Sequence, residues 1–228
     1  MCGRLVLTLP ADAMAQLFAA APANDMPRVP NFNVCPTDPV SIVTSDEAGA
    51  RKLRAMRWGF IPRWYKEATG GPLLINARAE TLAEKPAFRT AARTRRGLII
   101  ATGFYEWTKD GEGGRDPWYI SRADGAPLAF AAVWQDWRGQ DGITQKTCAI
   151  VTTAASTPMQ AIHHRMPVIL DQADWSLWLG EQGKGAATLM APAPDDLLGW
   201  HRVSRAVNSN RACGAALIEP LPKGSEVG

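Results

Sequence analysis

The second residue of the chain is a cysteine, and its position gives it chemistry that no internal cysteine has. An initiator methionine followed by a small side chain is usually trimmed. Trimming would leave Cys2 with a free α-amine and a thiol on adjacent carbons. Such an amine condenses with an aldehyde to an imine, and the neighbouring thiol then adds to close a five-membered thiazolidine. An α-amine titrates at about pH 8, so a neutral, nucleophilic fraction exists near neutrality without tuning. Alternatively the thiol attacks and the amine serves as its base. The plain alternative is an inert thiol at a frayed chain end.

Three further positions carry groups suited to moving protons or holding a polar ligand. Glu106 lies in GFYEW, between Tyr105 and Trp107. Strand side chains alternate, so its carboxylate points away from both aromatics. A carboxylate in so apolar a strand sits either at a wet edge or in a site that raises its pKa. His163 and His164 are adjacent in AIHHRMP, a segment stiffened by Pro167. Adjacent side chains do not aim into one pocket, so at most one of the two transfers protons; a surface histidine is the common alternative. No third ligand is spaced for a metal, and no metal or cofactor is expected. Asn76 and Arg78 stand two apart in LLINARAE and share a face of an extended backbone. An amide beside a guanidinium suits a phosphate or a sugar oxygen. Capping of a helix that starts near Glu80 competes with that reading.

The elements that must position these groups are bounded by composition. At 228 residues the chain fits one sizeable domain or two small ones. Its 46% hydrophobic and 21% charged residues exclude a disordered chain. Nine Trp are far more than ordinary usage and require burial or stacking. No apolar run approaches the roughly 20 residues of a membrane helix. MCGRLVLTLP is not a secretory signal, so a cytoplasmic protein with no membrane partner is expected. The four cysteines are scattered and never in CxxC, which argues for free thiols rather than zinc or dithiol redox chemistry. Phosphate loops, dinucleotide fingerprints, HExxH and GxSxG are absent from the sequence.

Charge is uneven. Residues 51–96 hold 12 Lys and Arg against 3 Asp and Glu, interleaved with Trp58, Trp64 and Tyr65. That mixture suits a surface that meets phosphates and stacks on bases, although a solvated basic face would look the same.

A pass along the chain predicts a helix over 9–20 with Thr8 as its cap and Met14, Leu17 and Phe18 facing inward, then a proline-rich loop over 21–38. Strands are expected over 40–44, 54–58 and 97–102, with 79–92 helix-compatible. Residues 104–109 and 117–121 read as a hairpin, followed by strands over 128–134 and 147–153. Asp171 would cap a helix through Leu179 with Leu177 and Trp178 inward, and 202–207 would be a last strand. Seven or eight short strands and three or four helices, without a βαβ rhythm, predict an α+β fold. Its core would be a curled or barrel-like, mostly antiparallel β-sheet flanked by short helices.

Taken together, MCGR at 1–4, FNVCP at 32–36, RWGFIPRWY at 57–65, INARAET at 75–81, GFYEW at 103–107, AIVTTAA at 149–155, IHHRMPVIL at 162–170 and VSRAVNS at 203–209 resemble the SRAP family, the SOS-response-associated peptidases. The resemblance implies one domain over residues 1–220 with a flexible tail over 221–228. It implies an abasic-site processing protein, a monomer that senses abasic sites in single-stranded DNA and works near the nucleoid during DNA damage. Autocatalytic removal of Met1 would free Cys2 to form a thiazolidine cross-link with the ring-opened sugar. The activity implied is thus that of a cysteine-type autopeptidase with lyase-like DNA chemistry. By position, Cys2, Asn76, Glu106 and His163 match the catalytic residues. Glu106 would shuttle the proton, His163 would position or protonate the sugar oxygen, and Asn76 would hold Cys2 and the lesion. Arg4, Pro36, Trp64, Tyr65, Arg78, Thr152 and Arg165 match DNA-binding positions, with Trp64 and Tyr65 stacking against or wedging beside bases.

The chain departs from the family pattern at three places. Cys35 replaces a small residue, and would put a second thiol close enough for a Cys2–Cys35 bridge to disable the site. Tyr65 stands where Trp is also found, and His164 stands where an acid occurs. Two rival functions remain on the residues alone. One is an N-terminal-nucleophile glutamine amidotransferase, which also begins Met-Cys-Gly. The other is a non-catalytic single-stranded-DNA-binding module.

Overall fold

The computed structural model describes residues 2–111 and 113–222. In chain order the first elements are β1 (Leu5–Leu7), α1 (Ala11–Leu17), β2 (Ala21–Pro22), β3 (Asn31–Val34), β4 (Pro39–Ser45), β5 (Arg51–Trp58) and β6 (Asn76–Arg78). Then follow α2 (Arg89–Thr94), β7 (Arg96–Ala101), β8 (Gly103–Lys109), β9 (Arg115–Arg122), β10 (Leu128–Arg138), β11 (Thr144–Ala154), β12 (Arg165–Pro167), α3 (Trp175–Leu179) and β13 (Leu198–Arg202). The fold is α+β, with a mostly antiparallel, barrel-like sheet core and few short helices, as expected.

Five strands close on themselves. β5–β4, β4–β7, β7–β10 and β10–β11 pair antiparallel. A short parallel pairing of β11 with β5, Thr147 opposite Arg57 and Cys148 opposite Trp58, completes the ring. Closure satisfies edge groups that an open sheet would leave exposed. Residues 97–101 of β7 and 128–133 of β10 are buried without interruption, because both faces of these strands are covered. Gly97 belongs to this packing: a Cβ there would meet Ile42 Cδ1 at 2.8 Å and Val43 O at 3.0 Å.

A second, all-antiparallel sheet has the order β13-β9-β8-β1-β3. Thr102 alone separates β7 from β8, so one run of chain passes from the ring into this sheet. Phe104 of β8 packs edge-on against Phe130 of β10, centroids 5.7 Å apart. Truncating the fully buried Phe130 to alanine should cost about 3–5 kcal/mol, read as a lowered urea midpoint with an unchanged slope.

Beyond residue 150, β11 leaves β10 and gains two flanking strands. β6 runs parallel on one side, placing Asn76 opposite Ile150 and Arg78 opposite Thr152. β12 runs antiparallel, placing Arg165 opposite Ala154. Two segments remote in sequence are thereby brought to one end of the core.

Several local expectations are corrected. The first helix is shorter than 9–20, and Pro10, not Thr8, stands at its N-cap with no side-chain cap. Thr8 Oγ1 instead donates to Thr102 Oγ1 at 3.4 Å, and Leu17 is exposed while Met14 and Phe18 are buried. The stretch over 21–38 is not all loop, since Asn31–Val34 pairs with β1. No helix spans 79–92: a 3-10 turn at Ala79–Thr81 and the helix Arg89–Thr94 lie on either side of Pro86, which has no N–H to continue a helix. Asp171 does not cap with its side chain, because Arg122 takes Oδ1 at 2.9 Å, and Leu177 is only partly buried beside buried Trp178. The last strand is Leu198–Arg202, and Arg205–Asn208 is a 3-10 turn. Most of the expected 221–228 tail, residues 223–228, lies outside the described residues; Leu221 N donates to Arg202 O at 3.0 Å. No helix among the described residues is long and apolar enough to cross a membrane.

Candidate active site

Alternation along β8 builds the centre of the site. Tyr105 turns into a small core with Val6, Tyr119, Val203, Val207 and Leu217. Glu106 therefore faces the opposite way, and is only 2% exposed. Burial pushes its carboxyl up to about 7, opposed first by the chain's α-amine and then by a hydrogen bond from the Trp107 backbone N–H. A carboxyl that titrates near neutrality can both give and take a proton there.

Cys2 precedes β1, which pairs with β8, and is buried. Burial raises its thiol well above the ordinary value, and the nearby Glu106 carboxylate adds to the rise. The thiol is thus kept protonated until a base acts on it. From β6, Asn76 Nδ2 donates to Cys2 O at 2.9 Å. Asn76 Oδ1 is buried and accepts from no described residue, which leaves an acceptor beside Cys2 for an incoming donor.

Gly3, Glu106 and His163 share a cleft of about 660 Å³ whose walls also include Arg4, Trp107, Thr108, Lys109, Arg115 and Asn208. One wall is cationic: Lys109 and Arg115 flank the β8–β9 turn. Arg4 lies 5.9 Å from the Trp107 ring centroid, and its guanidinium is anchored on neutral groups: Asn33 Oδ1, Val207 O and Asn210 Oδ1. Asn208 closes the wall by accepting from Trp107 Nε1 at 2.6 Å and donating to Arg115 O at 3.3 Å. The hairpin is tied to the Asn208 turn by Arg205, which bridges Asp110 and Asp116 at 2.5 and 2.9 Å.

His163 Nδ1 lies 3.0 Å from both the N and the O of Arg165. Burial lowers its pKa, so the ring is neutral at pH 7. His164 is exposed and stacks on it, centroids 4.4 Å apart. Only one of the pair lines the cleft, as adjacency requires.

The structure thus brings Cys2, Asn76, Glu106, His163 and Arg4 together. The remaining candidates fall elsewhere. Thr152 has no exposed surface, and its O and Oγ1 receive Arg165 Nη2 at 2.7 and 3.3 Å. The Arg165 guanidinium is otherwise engaged by Glu80, at 2.6 and 3.0 Å. Arg78 is exposed; Trp64, 58% exposed, meets Tyr65 edge-on at 6.3 Å; Pro36 is half-buried beside Thr37, whose φ is +81°. None of these four lines the cleft. All four cysteines are free; Cys35 Sγ lies 3.3 Å from Asn33 O and 3.9 Å from Asn210 O. Among the described residues no group of three or more His, Cys, Asp and Glu could hold a metal.

Sequence reasoning missed Trp107, Lys109, Arg115 and Asn208 as cleft residues. Trp107 and Asn208 lie inside GFYEW and VSRAVNS, Lys109 ends the strand expected over 104–109, and Arg115 falls in the turn that follows it.

The profile of the family described as SOS response associated peptidase (SRAP) matches residues 1–210. The chain is 34% identical over 225 residues to the abasic site processing protein YoqW of Bacillus subtilis, covering 96% of this chain and 99% of that one. It is 32% identical to the abasic site processing protein YedK of Escherichia coli, covering 97% and 100% of the two chains. A crystal structure of a protein from Bacteroides thetaiotaomicron shares the fold, with a TM-score of 0.85 at 23% identity over 97% of this chain and 100% of that one.

Proposed function

The chain belongs to the SOS response associated peptidase (SRAP) family, and from that premise we propose that it processes abasic sites in single-stranded DNA by covalent capture through Cys2. What supports this reading is that a carboxyl titrating at about 7 and an imidazole line one cleft, while the buried Cys2 thiol lies near that carboxyl and its carbonyl accepts from the Asn76 amide.

Hydrolysis of the Met1–Cys2 bond, which consumes one water, frees the α-amine. The amine adds to the aldehyde carbon of the ring-opened sugar. Glu106 donates the proton that lets hydroxide leave as water, and the imine forms. The Cys2 thiol then adds to the imine carbon, its proton passing through Glu106 to the nitrogen, and the thiazolidine closes. The net change is aldehyde plus aminothiol giving a ring and one water. Run backward, the same proton transfers release the DNA. Asn76 holds the Cys2 carbonyl and offers Oδ1 to the amine or a sugar hydroxyl. His163 steadies the sugar oxygen. Arg4, Lys109 and Arg115 draw the backbone in, with Arg78, Pro36, Trp64 and Tyr65 meeting the strand outside the cleft, while Thr152 and Arg165 are bonded to each other and do not line it.

The test is incubation with a single strand carrying one abasic site, followed by denaturing electrophoresis. A slow-migrating adduct is expected with that strand and not with an intact one; glutaminase activity without an adduct would support the amidotransferase reading instead. Capture at limiting protein should also be salt-sensitive. Three cationic contacts to single-stranded phosphates give a log–log slope of roughly −2. A capture rate independent of salt would remove the cationic cleft from the account, while the finished adduct should persist at any salt.

A further inference from the structure

Glu80 has no part in the chemistry above, yet it joins the two strands that flank β11. It follows β6 directly, on the 3-10 turn at Ala79–Thr81. From there its carboxylate grips Arg165 of β12 in a two-point fork, Oε1 to Nη1 at 2.6 Å and Oε2 to Nη2 at 3.0 Å. The Arg165 side chain is 11% exposed, and Thr152 O and Oγ1 take up Nη2 from below. Every terminal nitrogen of this guanidinium is therefore assigned, and the residue is held at both its side chain and its β12 pairing.

What that fixed residue holds is the ring of His163. Its backbone N–H and C=O both lie 3.0 Å from Nδ1. A neutral Nδ1 accepts from the N–H; a protonated Nδ1 donates to the C=O. One peptide residue can thus anchor the ring through Nδ1 in either protonation state.

We propose that Glu80 is a positioning residue for His163, acting through the Arg165 guanidinium to lock the Arg165 backbone that cradles the imidazole. This rests on His163 serving the capture reaction. The competing role for Glu80 is as a stand-in for DNA phosphate on Arg165. The burial of Arg165 and its third and fourth contacts to Thr152 favour the internal clamp. Glu80 itself is 51% exposed, so the ion pair contributes little to global stability and its removal does not unfold the protein.

The test pairs two readouts in Glu80→Ala and Glu80→Gln. The first is the titration of His163 by nitrogen-15 histidine NMR without DNA; the chain has three histidines, so His164→Gln and His201→Gln assign the signals. The charged and titratable groups around the ring are the chain's α-amine, His164, Arg165, Glu106, Arg4, Lys109 and Arg115, and of these the substitution changes only Arg165, which loses its counter-ion. In the wild type, Nδ1 should show a hydrogen-bonded shift at both ends of the titration. In both variants that signature should weaken and the titration midpoint should move down, because the Arg165 C=O supports the protonated ring less well and the Arg165 charge has lost its counter-ion. The second readout is capture, expected to slow about tenfold in Glu80→Ala with affinity for an intact strand unchanged. An unmoved His163 titration overturns the proposal, as does faster capture with tighter strand binding, which would make Glu80 a phosphate competitor. Because the NMR arm contains no DNA, it tests the clamp even where the wild type forms no adduct.

Discussion

Cys2→Ala should abolish the denaturation-resistant adduct, a loss of more than about a hundredfold in capture, while affinity for an intact single strand changes by less than about twofold. Alanine is also small, so ordinary trimming of Met1 still exposes an α-amine without the autocatalytic thiol, and an imine can still form. It lacks the sulfur that adds to the imine carbon, and an imine left open to water hydrolyses during denaturation. Borohydride should therefore rescue an adduct in Cys2→Ala by reducing the imine, whereas the wild type needs no reductant. Arg4, Lys109 and Arg115 of the cleft are untouched by the substitution, so strand binding should survive. A non-catalytic binding module predicts no difference between the two proteins in any arm.

Glu106→Gln should slow both formation and reversal of the cross-link by about a hundredfold, the usual weight of one positioned acid–base group. The amide is close in shape, so packing is preserved and the proton transfer is lost. The wild-type rate should carry an inflection at about pH 7 from the buried carboxyl; in the variant only the amine's own titration remains. The same burial has a stability consequence whose sign follows from linkage. The folded value of about 7 lies above the ordinary value of 4.5, so this group's contribution is full below 4.5 and is lost as pH rises through 7. Relative to wild type, Glu106→Gln should gain stability between pH 5 and pH 8, by on the order of 3 kcal/mol at most. Urea midpoints at the two pH values read it directly. A gap that stays constant with pH would mean Glu106 is not the titrating group.

Much of the site was legible in the chain because its residues sit in short segments with local rules. Alternation in GFYEW alone turns Glu106 away from Tyr105, and the extended INAR segment alone separates Asn76 and Arg78 from Ala77. The adjacency of His163 and His164 allowed only one into the cleft. The barrel-like, mostly antiparallel core was legible from the strands and the missing βαβ rhythm, but its closure was not. The β5–β11 pairing joins residues about 90 apart, and nothing local encodes such a partner. Helix readings failed where a polar side chain had a better distant partner, as with Asp171 and Arg122, or where Pro86 broke the run. Glu80 was invisible for the same reason: its partner Arg165 lies 85 residues on and is reached only because β6 and β12 flank one strand. Asn208 lies just beyond the strand expected over 202–207, at the end of a 3-10 turn, and its partners Trp107 and Arg115 are about 90 to 100 residues away.

Intact-protein mass spectrometry under denaturing conditions, before and after incubation with a single strand carrying one abasic site, tests the central claim most directly. The account predicts a starting mass lacking one methionine residue, then a gain equal to the oligonucleotide less one water, with no reductant added. A chain that retains Met1, or one whose mass is unchanged by the damaged strand, contradicts it.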